Sequence, residues 1–393
     1  MNTDSPSGRP RVALLTLGCA KNVVDSERIL SVLESRGVEV VHSLSESQVA
    51  IINTCAFIEP AKEESIDVVL DAAEWKRKGL ETLIVTGCLV ERYSDALKDL
   101  MPEVDVLTGI DPEGTALAAL KAAGRPARAL DCVPARRSRR LTPSWWSYLR
   151  ISHGCDNRCS YCAIPFIRGP LRSRPLDDLL GEARYLAAQG VRELNVIAQD
   201  TAAYGGDLGE DANIAKLLRE LCRIEALKWI RLLYCHPAHV TDDLIDVVAG
   251  EERICPYMDV PLQHANDDIL SRMGRKIKRA EVEDLIGKMR ERIPGLALRT
   301  TFIVGFPGEG EAEFEELLDF VRRFRFERVG CFSYWREEGT RAARMPRQVP
   351  REIGARRREE LMAVQQEIAF ELAARRVGER CGVIIEEGGG GSG

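Results

Sequence analysis

The sequence predicts an α/β protein built as an amino-terminal parallel sheet followed by a partial barrel of the (β/α)6 type. Three observations predict it. Apolar, β-branched runs alternate with amphipathic stretches over the first part of the chain. From Trp146 onward six strand-like runs are each followed by a segment able to form a helix. Finally, 393 residues exceed what one core usually covers, and a 45% hydrophobic composition supplies material for more than one.

In the amino-terminal part, the runs are Val12–Leu17 before Gly18-Cys19, Val49–Thr54 before Cys55, and Thr82–Gly87 before Cys88. Between them lie the amphipathic stretches Ser26–Arg36 and Glu63–Lys78, so the region reads strand, helix, strand, helix, strand. Buried runs alternating with helices make a parallel sheet, and such sheets bind ligands beyond the carboxyl ends of their strands. Cys19, Cys55 and Cys88 each end a run, so the three thiols can converge there on an iron–sulfur cluster with one open iron. Three buried core thiols are the plainer alternative, but they do not explain why each falls at a strand end. Next comes Arg136-Arg-Ser-Arg-Arg140 between Pro134 and Pro143, expected to be a solvated linker in preference to a phosphate clamp.

The barrel strands are expected at Tyr148–Ser152, Glu193–Ala198, Ile230–Tyr234, Tyr257–Pro261, Leu298–Val304 and Val329–Tyr334. An eight-stranded barrel needs two more units, and their lack leaves a lateral opening suited to a macromolecular substrate or to a domain bearing a second cofactor. A long helix over Arg351–Arg376 follows. The expected domains are 10–125, a linker at 126–144, the barrel with its terminal helix at 145–377, and a remnant with a glycine-rich tail at 378–393.

The densest chemical signal is Cys155-Asp-Asn-Arg-Cys159-Ser-Tyr-Cys162, after the first barrel strand. Three thiolates this close can hold three irons of a cubane and leave the fourth open for a small molecule. Structural zinc would want a second Cys or His pair at short spacing, and none lies nearby in sequence. The other six of the twelve cysteines (Cys132, Cys222, Cys235, Cys255, Cys331 and Cys381) lack ligand spacing and read as small buried hydrophobes. The start MNTDSPSGRP is polar and no apolar run approaches the roughly 18 residues of a membrane span, which points to a reducing cytoplasm with free thiols. A net charge of −6 argues against bulk electrostatic binding of nucleic acid.

These residues resemble a known family. The Cys155–Cys162 pattern is similar to that of radical S-adenosylmethionine enzymes, and Cys19, Cys55 and Cys88 ahead of it resemble the methylthiotransferase branch. Within that branch Gly18-Cys-Ala-Lys-Asn-Val-Val-Asp-Ser-Glu27 resembles the RimO type. Ile151–Cys155, Ala198–Gly205, Asp259–His264 and Arg299–Glu309 extend the resemblance, which spans roughly residues 11 to 378. It implies two [4Fe-4S] clusters, S-adenosylmethionine as radical source and methyl donor, and methylthiolation of an aspartate β-carbon on the twelfth protein of the small ribosomal subunit. An electron donor is implied; a membrane is not, and tRNA is disfavoured. By the same resemblance, Cys155, Cys159 and Cys162 ligate the radical-generating cluster, and Cys19, Cys55 and Cys88 the sulfur-bearing one.

Gln199 and Asp200, and Gly305 to Glu309, lie where the family contacts S-adenosylmethionine, although a Gly-Phe-Pro-Gly turn also simply ends a strand. His153 and His264 read as hydrogen-bonded structural residues, Tyr161 either covers the cluster or fills space, and no acid–base residue is assigned. Gly378–Glu387 resembles the opening strand of the small TRAM β-barrel found in relatives, and the glycine-rich end reads as a truncated or absent TRAM domain, a natural low-complexity tail or an appended linker. The alternatives are methylthiolation of a tRNA adenosine, methylthiolation of another peptide, and a non-catalytic iron–sulfur electron carrier.

Overall fold

In the computed structural model, which describes residues 9–125, 137–209 and 212–385, the chain divides into two units. The first is Met1–Thr142 with Phe166–Arg168; the second is Pro143–Pro165 with Gly169–Gly393.

Strands β1 (Arg11–Thr16), β2 (Glu39–Val41), β3 (Val49–Thr54), β4 (Thr82–Gly87) and β5 (Val106–Thr108) of the first unit form a parallel sheet in the order β2-β1-β3-β4-β5. Helices α1 (Ala20–Ser35), α2 (Glu59–Glu74), α3 (Cys88–Leu100) and α4 (Pro112–Ala122) connect them. The apolar run of β3 is buried at every position because both of its faces are covered. Ile29 and Leu33 of α1 and Ala116 and Leu120 of α4 join Val49, Ile51 and Ile84 in one cluster. The alternate residues Ala50, Ile52, Leu83 and Val85 point the other way and are equally buried, with α2 and α3 packed on these strands. Both α1 and α2 begin earlier than their amphipathic patterns suggest. The first turns of α1 carry buried polar residues that mask the pattern, and α2 opens on Pro60, which suits a helix start. Strands β2 and β5 have three residues each, too few to show a period.

One expectation needs correction here. Arg137, read as part of a solvated linker, is 1% exposed and forms an ion pair with the fully buried Glu27. Glu27 also accepts from the backbone N–H of Leu141 at 2.8 Å, so the end of the arginine cluster packs on α1. Residues 126–136, with Cys132 and Arg136, lie outside the described residues.

In the second unit the strands are β6 (Trp146–Arg150), the short antiparallel pair β7 (Ser152–His153) and β8 (Arg172–Ser173), then β9 (Glu193–Ile197), β10 (Trp229–Leu232), β11 (Tyr257–Asp259), β12 (Ala297–Val304) and β13 (Arg328–Ser333). Strands β6, β9 and β10 are parallel neighbours, as are β11, β12 and β13, and a parallel bridge between Ile230 and Ile254 joins the two sets. The six expected barrel strands therefore lie in chain order. Helix α5 (Ile164–Arg168), of which Phe166–Arg168 is counted with the first unit, and helices α6 (Leu176–Ala188), α7 (Ile214–Cys222), α8 (Asp242–Gly250), α9 (Asp267–Met273), α10 (Arg279–Arg292), α11 (Glu311–Phe324) and α12 (Arg351–Arg375) fall between and after them. Side chains of β12 alternate between buried and half-buried, and its Phe302 meets Phe320 and Phe326 edge-on. Asn213, Thr241 and Asn266 cap α7, α8 and α9 through side-chain oxygens, which fixes where each helix leaves its loop.

Cys222, Cys235, Cys255 and Cys331 are buried as expected, whereas Cys381 is exposed. Residues 379–385 form no strand, so the stretch resembling a TRAM opening strand pairs with nothing among the described residues, and 386–393 lie outside them. Among the described residues no helix is long and apolar enough to cross a membrane.

Candidate functional site

The sheet order of the first unit reverses direction between β1 and β3, and such a switch point opens a crevice at the carboxyl ends of the strands. Cys19 and Cys55 flank it. Cys19 sits at the amino end of α1 with extended backbone, Cys55 follows β3 directly, and Cys88 is the first residue of α3 directly after β4. The register Thr54 to Gly87 places Cys55 and Cys88 side by side at neighbouring strand ends.

Polar residues of α1 tie these ends together. Asn22 Nδ2 donates to the carbonyls of Leu17 and Thr54, both at 2.9 Å, holding the segment before Cys19 to the segment before Cys55. Asn53 Nδ2 donates back to Asn22 O at 3.0 Å and to Ser26 Oγ at 2.9 Å. Ser65 of α2 clamps Cys55, accepting from its N–H at 3.0 Å and donating to its carbonyl at 2.9 Å. Close approach requires two glycines. A Cβ on Gly18 would lie 2.7 Å from Cβ of Cys55. Gly87, at φ +97°, would press one onto Asn53 Oδ1 at 2.5 Å and Thr54 O at 2.6 Å.

Burial pushes the Cys55 thiol up and that of Cys88 up to about 11, reinforced by the charges of the neighbouring cysteines and opposed by Arg168. Arg168 Nη2 donates to Asn22 Oδ1 at 2.8 Å and lies 3.3 Å from Asp25 Oδ2 and 3.8 Å from Cys88 Sγ.

The second unit carries Cys155, Cys159 and Cys162 on the loop after β6 and β7, at the carboxyl end of the first barrel strand. The end of α9 pins this loop. Ser160 N–H donates to Met273 O at 2.8 Å, and Ser160 Oγ to Arg272 O at 2.7 Å. The buried Arg275 guanidinium points Nη1 at Cys159 Sγ, 3.7 Å away. Burial raises Cys155, and raises Cys162 to about 12, so a metal taken up here must displace protons.

The other expected site residues follow the second and fifth barrel strands. Gln199 presents a buried carbonyl oxygen with no hydrogen-bond partner among the described residues. Asp200 is buried. It accepts from Asn157 Nδ2 at 2.7 Å and from the His236 N–H at 3.1 Å, and lies 2.6 Å from His239 Nδ1. Burial alone would raise its carboxyl, but the hydrogen bonds from His239 and Asn157 bring it below the usual range. Glu309 is buried too, accepting from Gly305 N–H and from Arg357 Nη1, each at 2.8 Å, with Oε2 3.4 Å from His264 Nε2. Asp200 and Glu309 thus hold loops in place, and Gly305 is bonded within its own turn. His264 is fully buried and accepts from Asn266 N–H at 3.0 Å, a structural residue as expected; His153 lies half-buried in β7. Tyr161 packs edge-on against Phe306, with ring centroids 6.4 Å apart.

Zinc–sulfur bonds of about 2.3 Å in a tetrahedron bring sulfurs within about 3.8 Å of one another. Among the described residues neither trio has its three sulfurs within 4.8 Å, whereas each trio feels its own members' charges. Three free thiols at that spread suit the corners of a cubane better than one ion. Asp200, His236 and His239 do lie close enough for one ion. Their mutual hydrogen bonds account for the proximity, and burial, with the charge of Arg275, lowers His236 to about 3 and keeps it neutral. Sequence reasoning missed Arg168, Arg275, Asn157, His236 and His239. Only Asn157, inside the cysteine pattern, had a signal beside it.

Two family models and several curated relatives match the chain. The family model described as the radical SAM superfamily matches residues 149–321, and that described as uncharacterized protein family UPF0004 matches 11–109. A curated protein of Lachnoclostridium phytofermentans named ribosomal protein uS12 methylthiotransferase RimO is 45% identical over 384 residues, covering 96% of this chain and 87% of that one. A protein of the same name from Desulforudis audaxviator is 45% identical over 394 residues, covering 98% and 87%. Among solved structures, the radical S-adenosylmethionine methyltransferase TsrM from Kitasatospora setae, with cobalamin and a [4Fe-4S] cluster bound, aligns with a TM-score of 0.61 at 18% identity over 83% of this chain and 75% of that one, a likeness of fold alone.

Proposed function

The chain belongs to the RimO family of ribosomal protein uS12 methylthiotransferases, and from that premise we propose that it methylthiolates the β-carbon of an aspartate on that small-subunit protein. As a radical S-adenosylmethionine enzyme it uses a [4Fe-4S] cluster and S-adenosylmethionine. The observation that best supports the reading is the pair of three-cysteine sets, each at the carboxyl ends of parallel strands.

The reaction replaces an unactivated C–H bond, whose proton no ordinary side-chain base removes. Cys155, Cys159 and Cys162 would hold the [4Fe-4S] cluster, which when bound would supply the one-electron reduction of S-adenosylmethionine that such a C–H replacement needs. The chain's own residues hold, orient and enclose. Arg275, aimed at Cys159, orients that thiolate and sets its charge environment. Asn157 hydrogen-bonds to Cys155 and is anchored on Asp200, which fixes the loop from the second strand's side. Gln199 offers its free carbonyl oxygen to an N–H or O–H of S-adenosylmethionine. Glu309 and Arg357 brace the turn at Gly305, whose backbone would meet S-adenosylmethionine when it is bound.

Cys19, Cys55 and Cys88 would hold a second [4Fe-4S] cluster supplying the sulfur, which would make the amino-terminal domain of 10–125 the sulfur donor and the barrel of 145–377 the radical source. A second S-adenosylmethionine gives the methyl group. An electron donor reduces the enzyme in the cytoplasm, and tRNA is not the substrate, consistent with the net charge of −6.

The test is an anaerobic reaction of the reconstituted protein with S-adenosylmethionine, reductant, sulfide and either uS12 or tRNA, followed by mass spectrometry. Methylthio mass on the protein is expected. Product on tRNA alone would overturn the substrate assignment, and no cleavage of S-adenosylmethionine under any condition would leave the electron-carrier reading.

A further inference from the structure

We propose that Arg168 is a positioning residue of the three-cysteine site in the first unit, its unpartnered Nη1 donating to an anionic sulfur held there. The side chain is 2% exposed. Every contact shown for the guanidinium runs through Nη2, to Asn22, Asp25 and Cys88. Nη1 is buried with no hydrogen-bond partner among the described residues. A buried charged donor without an acceptor is costly, so the arrangement is complete only when an acceptor enters. The acceptor's chemistry follows from its surroundings. The Arg168 charge acts on Cys19, Cys55 and Cys88, so the arginine lies within electrostatic reach of all three thiols. Asp25 offsets one unit of its charge, while three thiolates around an oxidised [4Fe-4S]2+ core leave the site net negative, and reduction or an added hydrosulfide makes it more so.

A purely structural brace between Asn22 and Asp25 would need only Nη2. Arginine with its second donor left over suits a soft anion, either a bridging sulfide of a cluster or a hydrosulfide taken up from solution. Hydrogen bonds to cluster sulfurs and added positive charge both raise a reduction potential.

The inference rests on Cys19, Cys55 and Cys88 holding a cluster, and the experiment separates the two claims. Cys155, Cys159 and Cys162 are replaced by alanine in the full chain, which is then reconstituted with Arg168 intact. Failure of that protein to bind iron and sulfide overturns the cluster reading itself. With iron bound, Arg168→Gln is compared by EPR-monitored redox titration and by titration with sodium hydrosulfide. The expected result is at least a tenfold shift in the reduction equilibrium, about 59 mV lower for one electron, or at least tenfold weaker hydrosulfide binding.

A potential shift without added sulfide assigns the acceptor to the cluster's own sulfide; loss of hydrosulfide affinity alone assigns it to the added sulfur. Arg168→Lys keeps the charge and should recover most of either effect. Should the glutamine variant not assemble, the lysine variant is titrated in its place, with a smaller shift in the same direction expected. Parent-like potential and parent-like affinity at equal iron content would overturn the assignment.

Discussion

Gly87→Ala tests whether the sheet, and not a flexible loop, sets the position of Cys88. Gly87 has φ +97° and ψ −158°, a combination that residues with a Cβ almost never adopt, and enforcing it costs about 1–3 kcal/mol. The added methyl would also meet Asn53 Oδ1 at 2.5 Å, Thr54 O at 2.6 Å and Thr54 N at 2.9 Å. Two of these atoms are backbone of the central strand and cannot rotate away, so crowding adds about 1–3 kcal/mol. The total is about 2–6 kcal/mol, concentrated between β3 and the start of α3. Gly79→Ala is the control, because Gly79 also has positive φ (+113°) but no heavy atom within 4 Å of the new methyl; it should cost only about 1–2 kcal/mol.

Since the chain has two units, a single global unfolding curve would mix them. Hydrogen exchange of the peptide over residues 82–100 reads the local opening free energy instead. Gly87→Ala should lose at least about 1 kcal/mol more protection there than Gly79→Ala. It should also bind less iron when the barrel cysteines are replaced by alanine. Equal protection in the two variants, with full iron in both, would show that the backbone yields freely and that the strand end does not position Cys88.

Other perturbations address the remaining parts. Cys159→Ala should abolish 5′-deoxyadenosine formation, whereas Cys55→Ala should leave some cleavage of S-adenosylmethionine and eliminate sulfur insertion; equal loss of 5′-deoxyadenosine in both variants would argue against separate roles. Asp200→Asn should cost about 1–3 kcal/mol near pH 7 by disturbing the hydrogen bonds to Asn157 and His236. Because the fold lowers the Asp200 carboxyl, its contribution is present above the unfolded value near 3.9 and is lost as pH falls through the lower folded value. The gap between parent and variant should therefore narrow on acidification below about pH 4, and a gap constant with pH in denaturation experiments would contradict this. Arg137→Met leaves Glu27 charged and buried, and should destabilise the first unit by about 3–5 kcal/mol in exchange measurements on α1. A loss under about 0.5 kcal/mol would mean that Glu27 has another counter-charge.

What was legible in the sequence was whatever carries a period. The buried runs of β3 and β4, the longer barrel strands and α12 each extend over enough residues for alternation or continuous burial to show, while the three-residue β11 was legible only as one step of the repeating strand–helix order. What was hidden depends on long-range meetings. Arg137 sits in a run of arginines between prolines that looks solvent-bound, and nothing local announces that it reaches Glu27, 110 positions away. Arg275 meets Cys159 across 116 positions, and Asp200 receives His239 across 39. The sequence located Asp200 and Glu309 at the right strand ends. It could not show that Asp200 would be bonded by its own neighbours, or Glu309 through Oε1 by Gly305 and Arg357.

The two cysteine sets face different problems, which explains why one was plain and the other needed the sheet. Cys155, Cys159 and Cys162 lie on one loop, so local spacing brings them together and the fold has only to pin that loop through Ser160 and Arg275. Cys19, Cys55 and Cys88 lie on three strand ends, so their distances are set by strand register and by whatever joins the ends. Here α1 supplies that join, and the buried Lys21, Asn22, Asp25, Ser26 and Glu27 occupy turns that in an ordinary helix of this kind would be apolar. At least four of them hold a partner outside the helix: Leu17 and Thr54 for Asn22, Arg168 for Asp25, Asn53 for Ser26 and Arg137 for Glu27. The amphipathic pattern of α1 accordingly starts six residues after the helix does, at Ser26 and not Ala20. Local propensity gives way over the stretch that shapes the cysteine site, as expected where function and not folding chose the residues.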